Sequence, residues 1–130
     1  MKGTVVSVWM TTIEKNYGTN ALNALYKGAG WSESMVIKPS DNVDDSQIFK
    51  GIDAVAKFKG MPVADLWREI GRNNVQSFSK WFPSFFERSS LKAFLMMMDT
   101  VHANLTKMIT GANPPRLIPE EVTDNSFILT

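Results

Sequence analysis

The stretch Ser90 to Thr110, SLKAFLMMMDTVHANLTKMIT, decides how this chain is read. Its large apolar residues fall at Leu91, Phe94, Leu95, Met98, Leu105, Met108 and Ile109, the three-and-four spacing of one buried helical stripe. His102, four residues after Met98 and three before Leu105, shares that face and is expected to point inward with it. It is the only histidine of the chain, which contains no cysteine. An imidazole buried without a partner costs on the order of 1–3 kcal/mol, because its nitrogens lose their hydrogen bonds to water. Something must therefore engage it, either a backbone carbonyl or hydroxyl on a neighbouring helix, or a metal or cofactor.

Outward from this helix the chain reads as mainly helical. The stripe Val5, Val8, Trp9, Ile13 and Tyr17 predicts a helix over Gly3 to Tyr17 that stops at Gly18. Several of its residues are β-branched, so packing rather than propensity must hold it. A second helix is expected over about Asn20 to Ala29, ending at Gly30. After a turn at Pro39 to Val43, a third begins at Asp44, with Asp45 and Gln47 in its first turn where acids complement the helix dipole, and ends near Lys59 and Gly60. Pro62 suits the start of a fourth, which carries Leu66, Trp67, Ile70, Asn74, Phe78, Trp81 and Phe82 on or near one face before Pro83 interrupts it. Gly71 in its middle costs about 1 kcal/mol relative to alanine, so either a helix crossing or a flat ligand is expected to approach there. Gly111 and Pro114-Pro115 end the His102 helix, and Arg116 to Ile118 and Phe127 to Leu129 read as two short strands. Two strands alone are marginal in water, so the chain reads as cut off inside a sheet.

Composition narrows the function. The length and a 44% hydrophobic content suit a single domain, 1–130. Fourteen basic and thirteen acidic side chains, a net charge of +1, supply no basic stripe for nucleic acid. Without cysteine, disulfides, thiolate nucleophiles, zinc fingers and iron–sulfur clusters are all excluded, and a single histidine excludes multi-histidine metal sites. The start, Met1 to Glu14, is neither a secretion signal nor a membrane span, so a cytoplasmic protein is expected.

Hydrolytic chemistry has weak candidates, since a serine or threonine nucleophile needs an accessible histidine base. The neighbouring carboxylates Asp44 and Asp45, or Glu120 and Glu121, do not face one another across a substrate and read as surface or helix-start charge. Gly28 and Gly30 lie at a helix end without the lysine of a phosphate loop. The aromatics Phe78, Trp81, Phe82, Phe85 and Phe86 serve either as core or as the wall of a cofactor pocket, and eight methionines suit a large planar ligand. One inward histidine among phenylalanine, methionine and proline is the composition of a five-coordinate haem pocket, whose imidazole holds iron while the opposite face stays open for a gas. Asn74 is either a buried amide tying two helices or a donor in such a gas pocket.

Met1-Lys2-Gly3-Thr4, Trp67 to Arg72 (WREIGR), Phe78 to Pro83 (FSKWFP), Phe94 to His102 (FLMMMDTVH), and Leu105 to Ile109 followed by Pro114-Pro115-Arg116-Leu117 closely resemble the haem nitric oxide/oxygen binding (H-NOX) domain, the bacterial sensor related to the haem domain of soluble guanylate cyclase. The resemblance spans the whole chain. It implies an α+β fold, mainly α in this chain: the helical N-terminal part plus the first strands of a truncated antiparallel sheet. It implies haem b, with His102 as the iron ligand and Pro115 pressing on the porphyrin. Val5, Trp9, Asn74, Phe78 and Phe82 correspond to positions that line or support the gas-binding side, with Met98 beside the macrocycle. A non-enzymatic sensor of nitric oxide or oxygen follows, in which gas binding weakens the iron–histidine bond and the His102 helix moves. The implied output is a histidine kinase, a diguanylate cyclase or a chemotaxis receptor. The family's Tyr-x-Ser-x-Arg motif is expected immediately after Thr130, and Asp45 resembles the acid that pairs with its arginine. The other reading of these residues is a haem-free helical module for interaction or dimerisation, with an unpaired sheet edge.

Overall fold

The computed structural model describes residues 1–130 except 109, 124 and 125, and nothing is assigned to the side chains of residues 105, 121, 122 and 129. The chain divides into two compact units, Met1–Lys80 and Trp81–Thr130.

The first unit is built on α1 (Gly3–Tyr17), α2 (Thr19–Ala29), α3 (Asp45–Lys59) and α4, which starts at Val63 and runs to Trp81. Its apolar core joins Val6, Val8, Trp9 and Ile13 of α1, Ala21 and Leu25 of α2, Ile48, Ile52, Val55 and Ala56 of α3, and Leu66 and Ile70 of α4. The β-branched residues that disfavour α1 by propensity are thus the ones that packing rewards. Asp44 caps α3, accepting from the amides of Ser46 at 2.7 Å and Gln47 at 3.2 Å. Its carboxyl lies below the ordinary aspartate range, chiefly through the Ser46 side-chain hydrogen bond. At the other end of α3, Gly60 takes φ +65°, the left-handed cap that a side chain resists, and Met61 N–H returns to Ala56 O at 3.0 Å. Asp45 is more than helix-start charge: its Oδ1 lies 2.6 Å from the Met1 ammonium nitrogen.

Helices α2 and α3 cross closely because glycine faces small residues on both sides. A Cβ at Gly28 would press on the Ala54 Cβ and lie 2.8 Å from Lys50 O, and one at Gly51 would lie 3.0 Å from Leu25 O. Gly71 is different. An added Cβ there meets nothing within 4 Å, so among the described residues no helix crosses closely at that position.

The second unit holds α5 (Pro83–Phe86), α6 (Leu91–Met108) and an antiparallel hairpin of β1 (Pro119–Thr123) and β2 (Ser126–Leu129). The short α5 was not expected; Pro83 at its first position sets the helical φ. Glu120 pairs with Ile128, and a bulge between Glu121 and Thr123 shifts the register. The first strand begins later than the expected Arg116 to Ile118. Arg116 and Leu117 are instead drawn onto Asp99 of α6, and pairing starts where Ile118 and Thr130 exchange amide bonds at 2.8 and 3.1 Å.

The expected buried stripe of α6 also needs correction. No described residue of α6 is fully buried, Leu91 is 72% exposed and Met108 80% exposed, and His102 is half-buried. Within its own unit α6 has only a four-residue helix and a hairpin to pack against, with Phe86 stacked on Phe94 at 4.9 Å as the clearest apolar contact. The expected contributions of Leu105 and Ile109, and of the Glu121 carboxylate, lie outside the described residues.

Substituting alanine at the two contrasting glycines tests this packing. Gly28→Ala is expected to destabilise by about 1–3 kcal/mol, because overpacking must move backbone. Gly71→Ala in the haem-free chain is expected to stabilise by about 1 kcal/mol through helix propensity alone. Urea unfolding of both variants reads the difference.

Candidate functional site

The imidazole of His102 is held from one side. Its Nδ1 lies 2.6 Å from the carbonyl oxygen of Pro115. A carbonyl only accepts, so in the neutral ring Nδ1 carries the proton and donates it, and Nε2 keeps the lone pair. Metal-bound histidines are commonly held in this way, because the second hydrogen bond orients the ring and raises its basicity. The partner is one of those expected for a structural histidine, a backbone carbonyl, and it leaves the opposite nitrogen with its lone pair.

The carbonyl is presented by the double proline. Pro114 and Pro115 each lock φ and lack an amide hydrogen, and each drives the preceding residue out of helical geometry, so residues 113–115 leave α6 as extended backbone. Immediately beyond, Arg116 forks onto Asp99, with Nε to Oδ1 and Nη2 to Oδ2 both at 2.6 Å, and Leu117 N–H donates to the same carboxylate at 3.2 Å. The Arg116 bond is the main reason the Asp99 carboxyl lies below the ordinary aspartate range. Neither Asp99 nor Arg116 is a site candidate by sequence alone, where Arg116 reads as the start of a strand. Their signal was positional, an acid one helical turn before the histidine and a base directly after the prolines.

Of the other residues singled out, Met98 lies one turn before His102 on α6, and Phe82 precedes α5 with its ring 6.3 Å from Phe85. Val5, Trp9, Asn74 and Phe78 belong to the first unit. Trp9 is 8% exposed and meets Trp67 edge-on at 4.9 Å. With the Asn74 amide turned to satisfy its neighbours, its oxygen accepts from Trp9 Nε1 at 3.2 Å and its nitrogen donates to Ile70 O at 3.3 Å. Asn74 therefore ties α4 to α1, one of its two expected roles, and fixes the Trp9 indole. Val5 and Phe78 are partly buried and pack against the core of that unit. Tyr17 OH donates to Glu69, and burial together with that carboxylate pushes its pKa up to about 12.

Among the described residues no group of three or more His, Cys, Asp or Glu could hold a metal ion. The donor set of His102 suits a metal that brings its other ligands with it, as iron in a porphyrin does, and needs one protein nitrogen.

The fold is α+β and mainly helical, and its single histidine is oriented by a backbone carbonyl. The sequence of the Haem-NO-binding family matches residues 2–130, and the chain belongs to that family. Solved H-NOX structures match it closely. An oxygen-binding H-NOX domain related to soluble guanylate cyclases, in its oxygen complex, is 43% identical with a TM-score of 0.86, over 99% of this chain and 69% of that one. A mutant of the T. tengcongensis H-NOX is 43% identical with a TM-score of 0.91, over 99% and 70%. A third, from work on modulating haem redox potential through protein-induced porphyrin distortion, is 43% identical with a TM-score of 0.86, over 99% and 72%. No curated protein sequence matched.

Replacing Asn74 by alanine strands the buried Trp9 N–H. A loss of about 1–3 kcal/mol in urea unfolding is expected, and full stability in the variant would show that the indole finds another partner.

Proposed function

We propose that this chain is a haem-based sensor of a diatomic gas, nitric oxide or oxygen, with His102 Nε2 as the iron ligand. The observation that carries the reading is the 2.6 Å bond from His102 Nδ1 to Pro115 O, which leaves the lone pair on Nε2. Membership of the Haem-NO-binding family supports it. Pro115, Met98 and Phe82 are the proposed haem contacts of residues 81–130, and Val5, Trp9, Asn74 and Phe78 those that line or support the gas-binding side. When bound, haem b would supply reversible binding of a diatomic gas at its iron, which His102 would hold.

The chain's own residues do the rest. Pro115 holds the Nδ1 proton and so keeps Nε2 basic. Asn74 holds the Trp9 indole in one orientation. Helix α6 carries His102 and would change position as the hold of iron on Nε2 weakened, and a histidine kinase, diguanylate cyclase or chemotaxis receptor would read the change. Among the described residues no helix is long and apolar enough to cross a membrane, and a cytoplasmic sensor is part of the same proposal.

The test is an anaerobic haemin titration with ferrous spectra before and after nitric oxide. A five-coordinate ferrous species that becomes a nitrosyl form is expected, lost in His102→Gly and restored by free imidazole. An unchanged spectrum in His102→Gly without imidazole overturns the assignment. Leu91 and Met108, 72% and 80% exposed, favour the second reading, a haem-free helical interaction module. A monodisperse dimer that ignores haemin is its signature.

A further inference from the structure

We propose that Asp99 and Arg116 are positioning residues for the axial imidazole: their ion pair holds the Pro115 carbonyl on His102 Nδ1, and so decides which ring nitrogen carries the lone pair. This rests on the sensor reading above for its consequence, but not for its geometry.

The constraint closes on itself within one unit. The Pro115 carbonyl belongs to the peptide plane shared with the Arg116 nitrogen, so whatever fixes Arg116 and Leu117 fixes the direction of that oxygen. Proline removes the freedom of φ on the near side of the plane. On the far side, Arg116 makes two parallel bonds of 2.6 Å to Asp99, and Leu117 N–H adds a third at 3.2 Å. Asp99 stands one helical turn before His102 on α6, a rise of about 4.5 Å, so the ring runs from imidazole to carbonyl, to guanidinium, to carboxylate, and back along the helix. Two parallel guanidinium–carboxylate bonds set orientation as well as distance.

Two consequences follow. The imidazole is held as the Nδ1–H tautomer, and loss of the clamp releases the carbonyl and lets the proton return to Nε2, where it blocks the metal-binding lone pair. The segment 115–117 is also fastened to α6 at both His102 and Asp99, so it travels with the helix. A shift of α6 then leaves the Nδ1 bond intact.

A single histidine makes the experiment unambiguous, since ring-labelled ¹⁵N-histidine reports one imidazole. On the haem-free full chain, with the ring in its neutral form, it is expected mainly as Nδ1–H. Arg116→Gln and Asp99→Asn are expected to move it mainly to Nε2–H, with Arg116→Lys, which keeps charge but not the fork, in between. Arg116 is 62% exposed, so its substitutions leave the fold in place if circular dichroism is unchanged. In the haem-loaded chain the same variants are expected to lose haem on the order of 10-fold faster and to lower the iron–imidazole stretching frequency. An Nδ1–H ring in folded Arg116→Gln, or an Nε2–H ring in the parent chain, overturns the proposal. A parent chain that takes up no haem sinks the sensor reading instead, while the tautomer still decides this one.

Discussion

The hydrogen bond between His102 Nδ1 and the Pro115 carbonyl is the constraint on which the proposed function turns, because it gives the ring a defined donor end and leaves a defined lone pair on the other nitrogen. Much of the second unit follows from presenting that carbonyl. A continuous helix would direct it along its own axis, so the chain must leave α6 and return beside it. Gly111, at φ +73°, lets the chain turn, and two prolines prevent it from resuming the helix. The return path then has Arg116 facing Asp99, and only after that pair does the backbone become free to enter the hairpin.

The two units spend their apolar residues differently. In residues 1–80 the interior is closed by aliphatic side chains at or near zero exposure, and α2 and α3 approach through glycine where any larger residue would force them apart. Such packing resists change, since a methylene too many or too few is felt throughout a dense interior. One internal polar network, Trp9 to Asn74 to the Ile70 carbonyl, is satisfied on both sides and fixes a large aromatic ring without leaving an orphaned group. The platform is built to hold position.

How much was legible in the sequence divides along the same line. The bounds of α1 at Gly3 and Tyr17 and the end of α2 at Ala29 were readable because glycine stops and apolar periodicity agree there. Asp44 could be read as the start of α3 for the same reason. The stripe on α6 was misread as buried, since periodicity reports which residues share a face and not what covers it. The first strand was placed too early because Arg116 to Ile118 follows directly on the proline stop, while a long-range ion pair, invisible to local pattern, claims Arg116 first. His102 stood out by scarcity; Asp99 could not, being one acid among thirteen. Its role exists only once the prolines fold Arg116 back onto it.

The weak burial of α6 is consistent with its proposed task. A sensor element has to occupy two positions that differ by a few kcal/mol, and a helix locked into a dense core offers no such alternative. Reversing an equilibrium from 1:99 to 99:1 requires a ligand that prefers one position about 10⁴-fold, or about 5.5 kcal/mol. An iron–imidazole bond that is strong in one state and weakened in the other is an interaction of suitable size, provided the imidazole presents the same nitrogen throughout. A tautomer fixed by residues that move with the helix meets that condition. The same tautomer fixed by a group on a stationary element would be broken by the motion it is meant to transmit. On the proposed reading, the pairing of Asp99 with Arg116 matters less for the stability of the fold than for keeping the chemistry of His102 constant while its position changes.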